Sequence, residues 1–151
     1  TYREGYTVKK KILNEMRLTL PSYSINESYA RYAVSAFVAQ LDPTVADIGD
    51  IRTVVSEAVT NCVVHAYKDK PGKNYICAKY ADGGKVTVSV RDRGCGIPDV
   101  KKAMQPLFTT DTSGERGGMG FSVMESFSDS LRVRSCAGYG TTVTIVKRIN
   151  K

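Results

Sequence analysis

The sequence predicts an α+β fold, a two-layer sandwich in which a mostly antiparallel sheet of about five strands carries helices on one face. Three observations carry this. Several short segments alternate apolar and polar residues, as half-buried strands do. They come in pairs joined by tight turns, Asp82-Gly83-Gly84 and Gly138-Tyr139-Gly140, which is the pattern of hairpins. Two longer segments instead repeat their apolar residues at helical spacing.

The chain of 151 residues suits one domain with room for a core, and 42% hydrophobic with 25% charged residues is an ordinary globular composition. No apolar run approaches a membrane span, and the first residues lack the pattern of a secretory signal, so a soluble cytoplasmic protein is expected. Cys62, Cys77, Cys95 and Cys136 are too scattered for a zinc site and are expected as reduced, mostly buried thiols. A net charge of +7 raises the question of nucleic acid. Beyond Lys9, Lys10 and Lys11 the basic residues are dispersed, with no aromatic platform beside them, which argues against direct nucleic-acid binding. The same charge suits an acidic protein partner or nucleotide phosphates.

Residues 1–14 show no period and are expected to be a tail, with the domain running over 15–151 and its first strand starting close to Glu15. Met16, Leu18 and Leu20 alternate with Arg17 and Thr19 up to Pro21. Ser24 and Glu27 have capping-box spacing and open a helix to about Leu41. Tyr29, Ala33, Ala36 and Phe37 read as its inner face, which puts Arg31 and Ser35 outside. Asp42-Pro43 stops it, and Thr44 with Asp47 caps a central helix predicted over 46–67. Pro71-Gly72 marks a loop. Ile76, Ala78 and Tyr80, then Val86, Val88 and Val90, form the first hairpin. A helical turn or two is expected over 100–105. Residues 106–118 are polar, small and rich in Thr and Gly, and read as a lid. Phe121, Met124 and Phe127 predict a short helix, and 130–136 with 141–149 the last hairpin.

Three groups of residues stand out. On the central helix Glu57, Asn61 and His65 occupy i, i+4 and i+8 among Val55, Ala58, Val59, Cys62 and Ala66, forming a polar stripe on an apolar element. Such a stripe is either a solvated edge or a site where Asn61 offers a carbonyl oxygen to a hard cation and Glu57 serves as a base. Asp92-x-Gly94-x-Gly96 follows a strand and is either a plain turn or a carboxylate beside glycines that admit a flat ligand. Gly118-x-Gly120 before a helix is either a hinge or an anion cradle. Gly-x-x-x-x-Gly-Lys is absent, and Gly118 does not follow a strand in a βαβ unit, which removes P-loop and dinucleotide folds.

In this order and spacing, the E-x-x-x-N helix, the D-x-G-x-G turn and a lid ending in G-x-G resemble the N, G1 and G2 boxes of the GHKL ATPases. These include gyrase, heat-shock chaperones, histidine kinases and mismatch-repair proteins. Asn26-Glu27-Ser28-Tyr29-Ala30-Arg31, residues 37–44, Ser56-Glu57-Ala58-Val59-Thr60-Asn61, Gln105-Pro106-Leu107-Phe108-Thr109-Thr110 and residues 115–121 further resemble the anti-sigma F family of serine kinases over about 15–149. Ala66 departs from the family pattern, where Gly is usual after the histidine, and so do residues 111–114.

The resemblance implies the Bergerat ATP-binding fold of histidine-kinase-like ATPases, with Mg-ATP between the central helix and the lid. It implies Glu57 as the base that takes a serine proton and Asn61 as the Mg²⁺ ligand. Asp92 would take the adenine amino group, with Gly94, Gly96 and Ile97 against the ring and Thr141 beside it. Gly118, Met119 and Gly120 would meet the phosphates, Arg116 the γ-phosphate, and His65 the nucleotide or its surroundings. Arg31 would contact the partner. The implied partners are a sigma factor of the sigma F type and an anti-anti-sigma factor as phosphoacceptor, with the kinase a homodimer and no direct nucleic acid or membrane. A stress-response kinase of the sigma B type and a nucleotide-gated binding module without phosphotransfer are the alternatives.

Overall fold

A computed structural model describes residues 2–3, 6–7, 10–68, 70–105 and 120–149. Two-residue strands β1 (Tyr2–Arg3) and β2 (Tyr6–Thr7) pair antiparallel with each other. The main sheet contains β3 (Ile12–Pro21), β4 (Lys73–Ala81), β5 (Lys85–Asp92), β6 (Ser130–Cys136) and β7 (Gly140–Arg148), in the order β3-β4-β5-β7-β6 with every pairing antiparallel. The predicted sheet and its two hairpins are therefore present. β3 begins at Ile12 rather than close to Glu15, because a register irregularity between Ile12 and Asn14 breaks the alternation that marks a strand in sequence.

The register builds the inner face in rows. Met16 faces Ala78, Ala78 faces Val88, Val88 faces Ile145 and Ile145 faces Leu131. Leu18, Ile76, Val90, Val143 and Val133 form the next row, and both rows pack under the helices. Each fully buried Val here contributes about 1.5–3 kcal/mol of apolar burial. One row further on, the residues turn polar: Asn74 faces Asp92, and Ser135 faces Thr141. That change of character at one end of an otherwise greasy face positions the site.

The helices α1 (Ile25–Val38), α2 (Val45–Asn61), α3 (Val100–Ala103) and α4 (Phe121–Ser126) follow the predicted order. Thr44 caps α2 as expected, its Oγ1 accepting from the Asp47 N–H at 3.1 Å. The Ser24–Glu27 capping box does not form. Ser24 is itself helical and makes no side-chain cap bond, while the Glu27 carboxylate accepts from Ser56 Oγ and lies 3.7 Å from Arg31 Nε.

The inner face of α1 is also displaced from the expected one. Ala30, Val34, Ser35, Phe37 and Val38 are buried, whereas Tyr29 and Ala36 are exposed and Arg31 is half-buried. Apolar residues occur on both sides of this helix, so periodicity selects neither. The side that goes inward is the one that meets α2: Ala30, Val34, Phe37 and Val38 share one core cluster with Ile51, Val54, Val55 and Ala58. Ser35 tolerates burial by donating to the Arg31 carbonyl at 2.7 Å and accepting from Arg52 Nε at 3.3 Å.

All four cysteines are free, as expected, yet only Cys62 is buried, and Cys95 and Cys136 are exposed. Both exposed thiols lie at or beside loops, Cys95 within the glycine turn between Gly94 and Gly96 and Cys136 at the last residue of β6. Among the described residues no helix is long and apolar enough to cross a membrane.

Candidate nucleotide site

Asp92 is the last residue of β5 and points inward, 6% exposed. Its Oδ1 accepts from the Gly94 N–H at 2.9 Å and the Thr141 N–H at 3.2 Å, while Oδ2 accepts from the Cys62 thiol at 3.7 Å. Burial raises its pKa above the ordinary carboxylate value, and the two backbone N–H groups hold it back. One oxygen is thus committed to backbone, and the other receives only a weak thiol donor among the described residues. Burial and then the Asp92 charge push the Cys62 thiol well up, so it stays protonated and unreactive.

The wall above is the end of the central helix, and here the structure departs from expectation. The α-helix ends at Asn61, and Cys62–Ala66 form a π-turn before Tyr67 leaves in extended conformation. Single π-turns inside helices concentrate at functional sites. Its freed carbonyls are taken by the glycine loop. Ala66 O accepts from the Cys95 N–H at 2.9 Å, and His65 O from the Cys95 thiol at 3.3 Å. This contact explains Gly94, since a Cβ there would lie 2.2 Å from Ala66 O. Gly96 has φ +75°, and a Cβ on it would come within 2.3 Å of Cys136 O. Both glycines are therefore required by the close approach of backbone to backbone.

Asn61, His65, Asp92, Gly96, Ile97 and Thr141 together line a cavity of about 410 Å³, which is a size that accepts a nucleotide base and sugar. Gly94 does not line it. Ala58, Val90, Ile97, Phe121 and Val143 supply apolar walls, and Lys68 and Lys102 add two cations. Asn61 is 9% exposed, and its Nδ2 meets no hydrogen-bond partner among the described residues. A buried amide left this way inside a cavity is poised for a ligand. Glu57 is not on the lining. Its carboxylate lies against Gly120, which has φ +73° and caps α4. Arg116, Gly118 and Met119, with the expected lid, lie outside the described residues. Arg31 stands apart on α1.

No group of three or more His, Cys, Asp or Glu side chains that could hold a metal occurs among the described residues. Asn61 instead offers one amide oxygen, which fits Mg²⁺ carried chiefly by substrate phosphates. The motifs did not identify Cys62, Lys68, Lys102 or Ser135. Ser135 had a usable signal, since it continues the inward parity of Leu131 and Val133. The two lysines had none, because their approach to the cavity depends on how α3 and the loop after the π-turn fold back.

The sequence profile of the histidine kinase-like ATPase domain family matches residues 24–147. The chain is 54% identical over 136 residues to an anti-sigma F factor of Thermoanaerobacter sp. (strain X514), covering 90% of this chain and 94% of that protein. It is 55% identical over 138 residues to the anti-sigma F factor of Caldanaerobacter subterraneus subsp. tengcongensis, covering 91% and 96%. Among solved structures, the RsbU and RsbW domains of Rv1364c from Mycobacterium tuberculosis superpose with a TM-score of 0.67 at 24% identity. That match covers 90% of this chain and 32% of the other. The mycobacterial sensor histidine kinase MprB follows at TM-score 0.55 and 14% identity, over 89% and 98%. At these identities the two structures attest to the fold alone.

Proposed function

The chain belongs to the histidine kinase-like ATPase domains and, among them, to the anti-sigma F factor family, and on that premise we propose that it is an ATP-dependent protein-serine kinase. It binds and inhibits a sporulation sigma factor of the sigma F type and phosphorylates a serine of an anti-anti-sigma factor, acting in the cytoplasm. The observation that carries the nucleotide reading is the pairing of Asp92 and Thr141 at the end of the cavity that also holds the Asn61 amide.

In this reading the adenine amino group donates to Asp92 Oδ2 while Ile97 and Val143 flank the ring. Asn61 would hold the Mg²⁺ that accompanies ATP, and that ion would offset phosphate charge. The Arg116, Gly118 and Met119 segment supplies the remaining phosphate contacts. Glu57, held against Gly120, accepts the proton of the attacking serine hydroxyl. A serine oxygen–phosphorus bond forms as the bond from phosphorus to the β-γ bridging oxygen breaks, and ADP leaves. Positioning and charge neutralisation supply most of the acceleration in such transfers.

Partner binding and homodimer formation are supported by a different surface. Ile25, Tyr29, Tyr32 and Ala36 form an exposed apolar stripe along α1, and Ile12 and Leu13 are exposed on β3, an edge strand of the sheet among the described residues. Arg31 borders that stripe but is paired with Glu27, so using it on a partner requires opening that pair.

The test is single-turnover transfer from labelled ATP to candidate anti-anti-sigma factors by wild type and Glu57→Gln. The variant should bind nucleotide normally and transfer about 10²- to 10⁴-fold more slowly. Wild-type transfer rates in the variant would remove Glu57 as the base. Nucleotide and sigma-factor binding without any transfer by wild type would favour a nucleotide-gated binding module, and transfer to a stress-response substrate would favour the sigma B type of circuit.

A further inference from the structure

Ser135 belongs to none of the motifs, yet it joins three segments of the cavity. Its Oγ accepts from the Ile97 N–H at 2.7 Å, lies 2.8 Å from Thr141 Oγ1 and is 3.2 Å from the Gly140 carbonyl oxygen. A hydroxyl has one proton and two lone pairs. One arrangement alone satisfies all three contacts. The Ile97 N–H and the Thr141 hydroxyl donate to Ser135, and Ser135 donates to Gly140. If Ser135 instead donated to Thr141, the Gly140 carbonyl would lose this contact.

The satisfied arrangement fixes what Thr141 can offer a ligand. Its single proton is turned toward Ser135, so toward the cavity it presents lone pairs. Asp92, whose Oδ1 accepts from the Thr141 N–H, is an acceptor as well when ionised. That end of the cavity therefore carries two acceptors side by side, matched to a ligand edge with two donors.

Resting on the nucleotide-site reading above, we propose that Ser135 is a specificity-determining residue: by orienting the Thr141 hydroxyl it selects a 6-amino purine over a 6-oxo purine. An exocyclic amino group brings two N–H donors to this edge. A 6-oxo group brings lone pairs that face lone pairs, and the mismatch leaves buried acceptors unsatisfied.

The experiment compares ADP with IDP, which differ at the purine 6-position and the adjoining ring nitrogen, by calorimetry on wild type, Ser135→Ala and Ser135→Thr. Wild type should prefer ADP. Ser135→Ala frees the Thr141 proton to point into the cavity, and the preference should fall by about tenfold, the worth of one hydrogen bond. Ser135→Thr keeps the hydroxyl and should restore it. In a Thr141→Val background Ser135→Ala should leave the ratio unmoved, because its effect passes through that hydroxyl.

If Ser135→Ala weakens both nucleotides equally, Ser135 merely supports the loop and the proposal fails. It fails too if the ratio still shifts in the Thr141→Val background. Should Ser135→Ala not fold, Ser135→Cys replaces the hydroxyl by a weak hydrogen-bonding group, and an unchanged ratio there is equally fatal. A wild type that binds neither nucleotide sinks the nucleotide reading itself, whereas one that prefers ADP with a ratio insensitive to Ser135 sinks this inference alone.

Discussion

Glu57 and Gly120 are in direct apposition: a Cβ on residue 120 would lie 2.2 Å from Glu57 Oε2 and 3.0 Å from its carboxyl carbon. The central helix thus meets the start of α4 through a carboxylate and a missing side chain. Gly120→Ala should act twice. Its φ of +73° makes alanine cost about 1–2 kcal/mol of stability, and the new methyl displaces Glu57. Phosphotransfer should fall by at least about tenfold, part of the worth of a positioned base, while adenosine binding persists. A melting curve with a single-turnover assay checks both. Unchanged transfer in the folded variant would detach Glu57 from this contact.

Asn61 gives a prediction in which stability and binding part company. Among the described residues its Nδ2 meets no hydrogen-bond partner, so Asn61→Ala forfeits none of them at that atom. The fold should survive with a melting temperature close to wild type. Mg-dependent nucleotide binding should be lost, since the amide oxygen is the proposed ligand. Calorimetry with and without Mg²⁺ is the measurement, and an unchanged Mg²⁺ effect in the variant would take Asn61 out of the metal's surroundings.

Asp92 sets a pH dependence whose sign follows from its burial. Its pKa is raised, chiefly by desolvation, so protonation begins at a higher pH than for an ordinary aspartate. The ionised form accepts the adenine amino group. ADP affinity should therefore fall as pH drops through the raised pKa and level off above it, and binding should release a proton below that plateau. Stability runs the opposite way. A raised carboxyl pKa gives a contribution that is full below the unfolded pKa and lost as pH rises through the folded one. Asp92→Asn should then be at least as stable as wild type at neutral pH, yet bind ADP roughly ten- to a hundredfold more weakly, the value of a charged hydrogen bond. A pH-dependent ADP affinity in Asp92→Asn matching that of wild type would assign the titration elsewhere.

The sheet was legible because alternation and glycine turns are local signals: Val86, Val88 and Val90 declare their face without reference to the rest of the chain. Thr44 was legible for the same reason, since its cap bond spans three residues. The failures came where two local answers were equally good or where distant backbone decided. On α1 two apolar faces competed, and only packing against α2 chose Ala30 and Val34 over Tyr29 and Ala36. The π-turn at Cys62–Ala66 is closed off by Cys95, some thirty residues away. Gly94 and Gly96 were found as glycines, but the need for them lies in Ala66 and Cys136, which no spacing reveals. The site's polar row could be read one residue at a time from Asp92 and Thr141, and Ser135 escaped because it has no motif around it.

The exposed side of α1 gives the last prediction, and it concerns assembly. Ile25 is 78% exposed at the first position of the helix and heads the stripe that continues through Tyr29 and Tyr32. Removing an apolar side chain from a core would confound assembly with folding, but Ile25 is outside the core. Ile25→Asp places a negative charge in the first helical turn, where it interacts favourably with the helix dipole and adds about 0.3–1 kcal/mol. The variant should melt no lower than wild type and should bind ADP unchanged, because the cavity lies at the other helix. If the stripe is buried against a second copy or a partner, the charge must be desolvated there, and association should weaken by tenfold or more, about the cost of an unpaired buried polar group. Sedimentation gives the dimer constant and a pull-down with the sigma factor the partner affinity. Loss of one without the other would say which occupant covers this face. If the variant dimerised and held the sigma factor as tightly as wild type, the stripe would be only solvent-exposed surface, and the interface would have to lie elsewhere.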